Sequence, residues 1–522
     1  MATKYKKEGI MAKPNILCFV TDQMRADHMS CAGNKVVRTP NIDRIAKRGV
    51  RFTNAFVANP VCMPARATFF TGLKPSDHGI RCNGIPLDRN IPTVPQALSD
   101  SGYRTHSVGK IHLSNYGTPR GADPETIDPF AYPENSQLWK NGKIKKLPFP
   151  YYGLQTADFV GGHVDYVFGE YLNWLRTEHP EAEKLLSMNA GEPVGSGAQE
   201  CWKMALPEEL HYTKWIADRT IEFLRTEEHK KPFFLWCSFP DPHHPYSVPH
   251  PWCDMYKSAD IELPVRREGE LEILPPHYKM VYEKGRPFRK YPMKMEDRQL
   301  RDIIAMTYGM ISFTDHHIGR VLDTLEELGL AENTIVTFMS DHADLMGDHW
   351  LVTKGIFHFN GLLKTPFIWS WPGHFREGSE VPALVSHLDF APSILDFAGV
   401  AIPEGTVPPE PVGGRPRPPW PGFALTPLLN GGTEPIQESV LIENDEDRHG
   451  SRLRTIVTKK YKLTFYAGQK WGELFDLEED PDELYNLWDS QKHASLREEL
   501  KAVLMEKIVL TDKALPRRLA AY

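Results

Sequence analysis

Several things are scarce in this chain. No apolar run approaches the roughly 18 to 20 residues that a membrane span requires; runs such as Ile16-Leu17-Cys18-Phe19-Val20 are only strand-length. Met1 to Lys13 is polar and basic, without the apolar core and small-residue cleavage site of a secretory signal, so the expected location is the cytoplasm. Cysteines number seven, at 18, 31, 62, 82, 201, 237 and 253. They are odd in number, widely spaced and free of any CxxC pair, which disfavours both a disulfide framework and a zinc ribbon. At least one thiol is left to be explained chemically. Positive charge is not in excess: 61 Lys and Arg face 68 Asp and Glu, a formal net charge of −7. That balance argues against a nucleic-acid groove or a polybasic membrane anchor, while a local cationic pocket is still compatible with it.

The 522 residues are 41% apolar and 25% charged, a globular composition long enough for one large core and a satellite domain. No internal repeat is found. Asn15 to Val20 reads as a strand buried on both faces and ends in Thr21-Asp22-Gln23. A second apolar strand, Phe233 to Ser238, ends in Asp241-Pro242-His243-His244-Pro245, and a third, Thr334 to Met339, ends in Ser340-Asp341-His342. Three strands therefore deliver Asp or His at one end, where open α/β sheets place their sites. Between the last two, Glu296 to Leu328 has the apolar stripe of a helix lying on a sheet; Asp315 on that stripe is read as a satisfied structural residue.

This alternation predicts an α/β fold to about residue 400, with a large mixed, mostly parallel sheet sandwiched by helices. The stretch 113–210, rich in Pro, Gly, Tyr and Trp, is expected to be long loops with short helices acting as an active-site lid. Residues 403–421 form a stiff proline-rich connector at the edge of the main domain. After it, Val440 to Glu443, Leu453 to Thr458, Tyr461 to Tyr466 and Gly472 to Leu477 read as strands, and Ala494 to Ile508 as a helix. The expected organisation is a catalytic domain over 1–430 and a small antiparallel α+β subdomain over 431–522.

The most specific local feature is Cys62-Met63-Pro64-Ala65-Arg66. Pro64 suits the first turn of a helix, where its missing N–H costs nothing, so Cys62 is expected at or just before the N-cap, with helix N–H groups aimed at it. An anion there would be stabilised.

In ordered blocks over nearly its whole length, the chain resembles the sulfatase family of the alkaline phosphatase-like superfamily. The blocks are Val20-Thr21-Asp22-Gln23, Thr39-Pro40-Asn41-Ile42-Asp43, CMPARATFFTG at 62 to 72, Gly109-Lys110-Ile111-His112, DPHHP at 241 to 245, Ser340-Asp341-His342, and Gly347-Asp348-His349 through Lys354-Gly355. The resemblance implies that a modifying, formylglycine-generating enzyme converts Cys62 to formylglycine. The hydrate of that aldehyde would be the nucleophile, and collapse of the hemiacetal sulfate would return the aldehyde. It also implies one divalent cation held by Asp22, Gln23, residue 62, Asp341 and His342. Gln23 and His342 stand where many relatives have Asp and Asn, so calcium, the family's usual metal, competes with manganese, which an imidazole ligand suits. Lys110, His112, His243 and Lys354 match the family's basic residues around the sulfate. His112 would be the base that triggers collapse, and His243 and Lys354 would stabilise or protonate the leaving oxygen. His243 is preferred to His244 for its spacing to Pro245. Arg66 matches the residue that holds the nucleophile, and Asn83 is a further candidate for touching substrate.

The expected activity is hydrolysis of an aryl, alkyl or sugar sulfate ester by a homo-oligomer, a dimer or tetramer. The alternative is a phosphonate monoester hydrolase or phosphodiesterase on the same scaffold. Phosphonate-type relatives carry neutral hydroxyl residues where this chain has Lys110 and His112, which favours sulfate. A non-catalytic sulfated-glycan binder is disfavoured by the complete set of metal and base residues. The other six cysteines are read as structural.

Overall fold

The computed structural model describes residues 13–123, 126–226, 231–285, 294–402, 420–446 and 450–512. Among these, the largest element is a nine-stranded sheet. In spatial order its strands are Ser379–Ser386, Gly49–Phe56, Phe367–Ser370, Thr334–Ser340, Asn15–Thr21, Phe233–Ser238, Arg104–Gly109, Thr156–Gly161 and Phe168–Gly169. The five strands from Thr334–Ser340 to Thr156–Gly161 run parallel, each to its neighbour, and the pairings of Phe367–Ser370 are antiparallel. The central strand Asn15–Thr21 is buried at all seven positions, as its unbroken apolar run requires of a strand covered on both faces.

Side chains alternate across that sheet. Trp236 packs against Phe69 and Phe390 of the helices Cys62–Thr71 and Phe390–Ala398. Its neighbour Cys237 instead meets Thr220 of the helix Tyr212–Arg225. Adjacent residues of one strand thus touch different helix layers, and the sheet is sandwiched. The long helix is Asp297–Glu327, opened by a capping box between Glu296 and Gln299. Asp315 on it accepts N–H bonds from Asn41 and Ile42 at 3.1 and 2.8 Å. It caps the helix Pro40–Lys47 from across the core, the structural part read for it.

The stretch 113–210 contains the expected short helices, Ser136–Lys140 and Glu170–Glu178, but also supplies the strands Thr156–Gly161 and Phe168–Gly169 to the sheet edge. Its weak periodicity conceals them because they are short edge strands. The expected connector 403–421 lies, up to residue 419, outside the described residues; Trp420 follows it and is buried against Gly72. The C-terminal strands Ser439–Glu446, Ser451–Thr458, Tyr461–Tyr466 and Gly472–Asp476 form an antiparallel sheet in that order. Leu441, Ile456, Leu463 and Leu474 face the helix Ala494–Leu510 through Leu500 and Leu504, while Val440, Ile442 and Val457 pack on Phe56, Leu363 and Leu384 of the main domain. Period-two patterning therefore buries both faces.

Glu170 accepts a hydrogen bond from the Phe159 N–H at 2.8 Å. Burial pushes its carboxyl up to about 7 against the pull of that bond. The folded protein thus holds this proton more tightly than the unfolded chain does. The resulting stability is complete below the ordinary carboxyl range near 4.5 and is lost as pH rises through about 7. Glu170→Gln keeps the accepting oxygen without the charge. It should melt with the wild type at pH 4.5 and about 1–3 °C higher at pH 8, measured by differential scanning fluorimetry. Equal melting at pH 8 would mean that Glu170 ionises there at no cost.

Candidate active site

Four neighbouring parallel strands end level with one another: Thr21 lies opposite Ser340, Val20 opposite Ser238, and Ser238 opposite Gly109. The residues that follow, Asp22, Asp341 with His342, Asp241 to His243, and Lys110, consequently emerge at one sheet edge. The glycine before Lys110 is required by this closeness. Gly109 has φ +95°, and a Cβ there would lie 1.9 Å from the Ser238 carbonyl oxygen. Gln23 and His112 also take left-handed backbone, at φ 70° and 62°, a conformation that costs energy away from glycine and tends to gather at functional sites.

The helix Cys62–Thr71 is buried along its whole length and aims its first turn at that edge. Its N-cap is Val61, so Cys62 is the first helical residue, one place further in than the sequence suggested; Pro64 falls in the first turn as expected. Asn83 accepts the Met63 N–H at 3.0 Å, so its side-chain oxygen caps the helix start beside Cys62.

The Cys62 Sγ lies 3.1 Å from His342 Nε2. Lys354 Nζ donates to Cys62 Sγ at 2.8 Å, to His342 Nε2 at 2.8 Å and to His243 Nε2 at 2.9 Å. Lys110 Nζ pairs with Asp22 and lies 2.9 Å from His163 Nε2. Arg66 is fully buried among these groups. Its guanidinium donates to Asp341 at 2.8 Å and reaches Asp22 at 3.4 Å, and it also holds the Lys110 carbonyl and the Ser238 hydroxyl. It orders the carboxylates and the strand ends. The two histidines of DPHHP separate clearly: His243 faces Lys354, whereas His244 Nδ1 lies 2.8 Å from Gln23 Nε2.

The ligand atoms of Asp22, Cys62, Asp341 and His342, all buried, lie within 4.8 Å of one another. Two further observations fit a cation. His342 Nδ1 is 2.9 Å from the Ala343 carbonyl, so the ring in its neutral form would keep its proton there and turn the Nε2 lone pair to the cluster. Gln23 Nε2 donates to Asp344, while its side-chain oxygen is buried with no hydrogen-bond partner. An unpaired buried amide oxygen on the residue next to Asp22 suits a hard divalent ion.

The electrostatics are tightly interlocked. Burial alone would raise the Asp22 carboxyl, but Lys110, Lys354 and Arg66 hold it well below the usual carboxylate range. Burial and Asp22 push the Cys62 thiol up; Lys354, Lys110 and His342 outweigh them and leave it below its ordinary value. Burial, Lys110 and Arg66 keep His112 well below 6.5, so it is a neutral imidazole. Its ring stacks on Tyr116 at 3.8 Å, and its buried Nδ1 has no partner.

Two residues of the site escape sequence reasoning. His163 stacks on His243 with centroids 3.6 Å apart and planes 5° apart, and it also meets Lys110. Glu134, fully buried, accepts the backbone N–H groups of His112, Leu113 and Ser114 at 2.7 to 3.0 Å and the Tyr151 hydroxyl at 2.7 Å. It fixes the left-handed turn that presents His112. Both come from the stretch 113–210, where neither spacing nor periodicity singles them out.

A family model described as Sulfatase matches residues 14–400, and one described as N-sulphoglucosamine sulphohydrolase, C-terminal, matches residues 347–509. An arylsulfatase of Clostridium perfringens (strain 13 / Type A) is 28% identical over 505 residues, covering 95% of this chain and 94% of the relative. An N-acetylglucosamine-6-O-sulfatase of Bacteroides thetaiotaomicron is 26% identical over 532 residues, covering 95% and 86%. Among solved structures, the phosphonate monoester hydrolase of Agrobacterium radiobacter superposes with a TM-score of 0.78 at 28% identity, covering 96% of each chain.

Arg66→Met should destabilise the metal-free protein by about 3–5 kcal/mol, because Asp22 and Asp341 would lose their buried guanidinium. Urea unfolding in a chelator measures this, and an added divalent cation should recover part of the loss. A cost below about 1 kcal/mol would show that other groups neutralise both carboxylates.

Proposed function

From the premise that the chain belongs to the sulfatase family of alkaline phosphatase-like enzymes, we propose that it hydrolyses aryl, alkyl or sugar sulfate esters through a formylglycine made from Cys62. The observation that carries this reading is the placement of Cys62. Its Sγ sits inside the Asp22, Asp341 and His342 cluster and 2.8 Å from the Lys354 ammonium. A nucleophile and the charge that receives an anion thus share one point.

Asp22, Gln23, Asp341, His342 and residue 62 would hold one divalent cation, calcium or manganese, which when bound screens sulfate oxygens and lowers the pKa of a hydroxyl. The aldehyde hydrate offers two hydroxyls on one carbon, one to attack sulfur and one to lose its proton as sulfate departs, so no second attack at sulfur is needed. Lys110 and Lys354 hold positive charge where the sulfate oxygens gather. His112, neutral through burial and Lys110, is able to take a proton at its ring nitrogen. Lys354 and His243, 2.9 Å apart, lie together where a leaving oxygen gains charge. Arg66 keeps Asp22 and Asp341 aligned. His163 and Glu134 join the list as a second imidazole at Lys110 and the holder of the His112 turn.

A second reading, hydrolysis of phosphonate monoesters or phosphodiesters, is supported by the likeness to the Agrobacterium enzyme. Lys110 and His112 favour sulfate. The ratio of kcat/KM for an aryl sulfate to that for the matching phosphonate monoester decides between them.

Protein co-expressed with a formylglycine-generating enzyme should carry the aldehyde in the tryptic peptide spanning Cys62 and should cleave a generic aryl sulfate. An unmodified thiol in fully active protein would refute the nucleophile. His243→Ala should lower kcat by about 10²-fold, by analogy with losing one charge-stabilising donor, and His244→Ala by much less. The reverse order would transfer the role to His244.

A further inference from the structure

Lys354 stands on a stretch without regular structure, between the 3-10 turn Asp348–Trp350 and the helix Asn360–Leu363. No ladder holds its backbone, yet its ammonium must stay within hydrogen-bond reach of residue 62. On the N-terminal side of Lys354 the Thr353 carbonyl accepts the Leu345 N–H at 3.1 Å and the Thr353 N–H donates to Asp344 at 2.6 Å. On its C-terminal side the grip comes from the C-terminal sheet, together with His277 on the Ile356 carbonyl at 3.0 Å. Asn444 donates through Nδ2 to the Gly355 carbonyl at 3.3 Å and lies 3.3 Å from His358 Nε2. The Asn444 amide nitrogen only donates, so His358 Nε2 accepts from it, and the protonated Nδ1 meets the Thr455 hydroxyl at 2.6 Å. Lys462, fully buried, donates to the His358 carbonyl and pairs with Glu483, which in turn accepts the Asn360 N–H at 2.6 Å.

The residue before Asn444 holds the other side of the site. The Glu443 N–H donates to the Ala58 carbonyl at 2.9 Å, and Asn59 donates back to the Glu443 carbonyl at 2.6 Å. Ala58 and Asn59 lie just upstream of the Cys62 helix. Glu443 and Asn444, adjacent on one strand, thereby tie together the two chain segments that bring Cys62 and Lys354 face to face.

We propose that Asn444 and Lys462 are positioning residues for the hydrolytic reaction, holding the Gly355 to His358 turn so that Lys354 stays on residue 62. This rests on the reading above that Lys354 meets the nucleophile and the leaving oxygen. Misplacing a group of this kind by an ångström can cost about 10²-fold. The buried Lys462–Glu483 pair has a further effect: it immobilises the turn through charge-assisted bonds that neutral partners would make more weakly.

The test is a double-mutant cycle on aryl sulfate hydrolysis by the mature, metal-loaded protein, joined to hydrogen exchange of the same samples. Asn444→Ala should lower kcat about 10- to 100-fold with little change in KM, and should lower it more for an alkyl sulfate than for a nitrophenyl sulfate, whose leaving oxygen needs less help. In a Lys354→Ala background the same change should cost less than about twofold, since the group being positioned is gone. Amides in 353–360 should exchange faster in Asn444→Ala while those of the central strand Asn15–Thr21 do not. If Asn444→Ala fails to fold, the charge-neutral pair Lys462→Met with Glu483→Gln carries the same cycle. An equal loss in both backgrounds, a loss independent of leaving group, or unchanged exchange in 353–360 would overturn the proposal. Faster exchange of 353–360 in Asn444→Ala, found together with a wild type that cleaves no sulfate ester, would overturn the function proposed for the site and leave the clamp standing as a structural one.

Discussion

Arg66, Asp22 and Asp341 have no exposed side-chain surface, and none of the three could sit there alone, because an unpaired buried charge costs several kcal/mol even after relaxation. Their mutual pairing makes the edge of the sheet tolerable as a place for charge. It also sets a geometry. A guanidinium is a rigid fork, so the carboxylates that it joins are held at a fixed separation, and its remaining N–H groups fasten the Lys110 carbonyl and the Ser238 hydroxyl. The ends of four strands are thereby locked through one side chain.

Everything nearer to Cys62 inherits that order. Lys110 can point inward because Asp22 waits for it, and Lys354 can point inward because the thiol, His342 and His243 share its protons. The Ala343 carbonyl determines the direction of the His342 ring. Gln23 then fills a place where another charge would unbalance the cluster, because it brings an oxygen without a charge. His112 stays neutral for the same reason, crowded by Lys110 and Arg66.

Much of this was readable in the chain. Asp22, Asp341 and His342 follow apolar runs long and pure enough to be central strands, and parallel strands put their carboxyl ends together. The helix at Cys62 could be anticipated from Pro64, although its start moved by one residue because Val61, an apolar residue, serves as the N-cap. Glu134 and His163 could not be found that way. Their meaning lies in contacts made across tens of residues, inside a stretch whose strands are short and at the sheet edge. Arg66 was visible as part of a motif, but its partners are 44 and 275 positions away, and sequence spacing says nothing about which of them it chooses. The clamp from the C-terminal sheet is hidden for the same reason: Asn444 lies just past the strand read from the sequence, Val440 to Glu443, and nothing marks it until Gly355 is brought under it.

The division between field and shape follows from these contacts. Arg66, Lys110 and Lys354 outnumber Asp22 and Asp341 in the inner cluster, so a bound anion is favoured whether its central atom is sulfur or phosphorus. The net charge of that field selects only a charge class, since monoanionic sulfate esters, phosphodiesters and phosphonate monoesters present the same charge; the preference proposed for sulfate rests on which residues stand at 110 and 112. Further discrimination must come from groups that meet the rest of the substrate, and the stretch 113–210 is the part expected from the sequence to cover the site. This stretch already reaches the inner cluster, through His163 against Lys110 and His243 and through Glu134 beneath His112. A change in that stretch is therefore mechanically connected to His112 and to Lys110. Altering the stretch without disturbing the inner cluster requires leaving Glu134 and His163 in place.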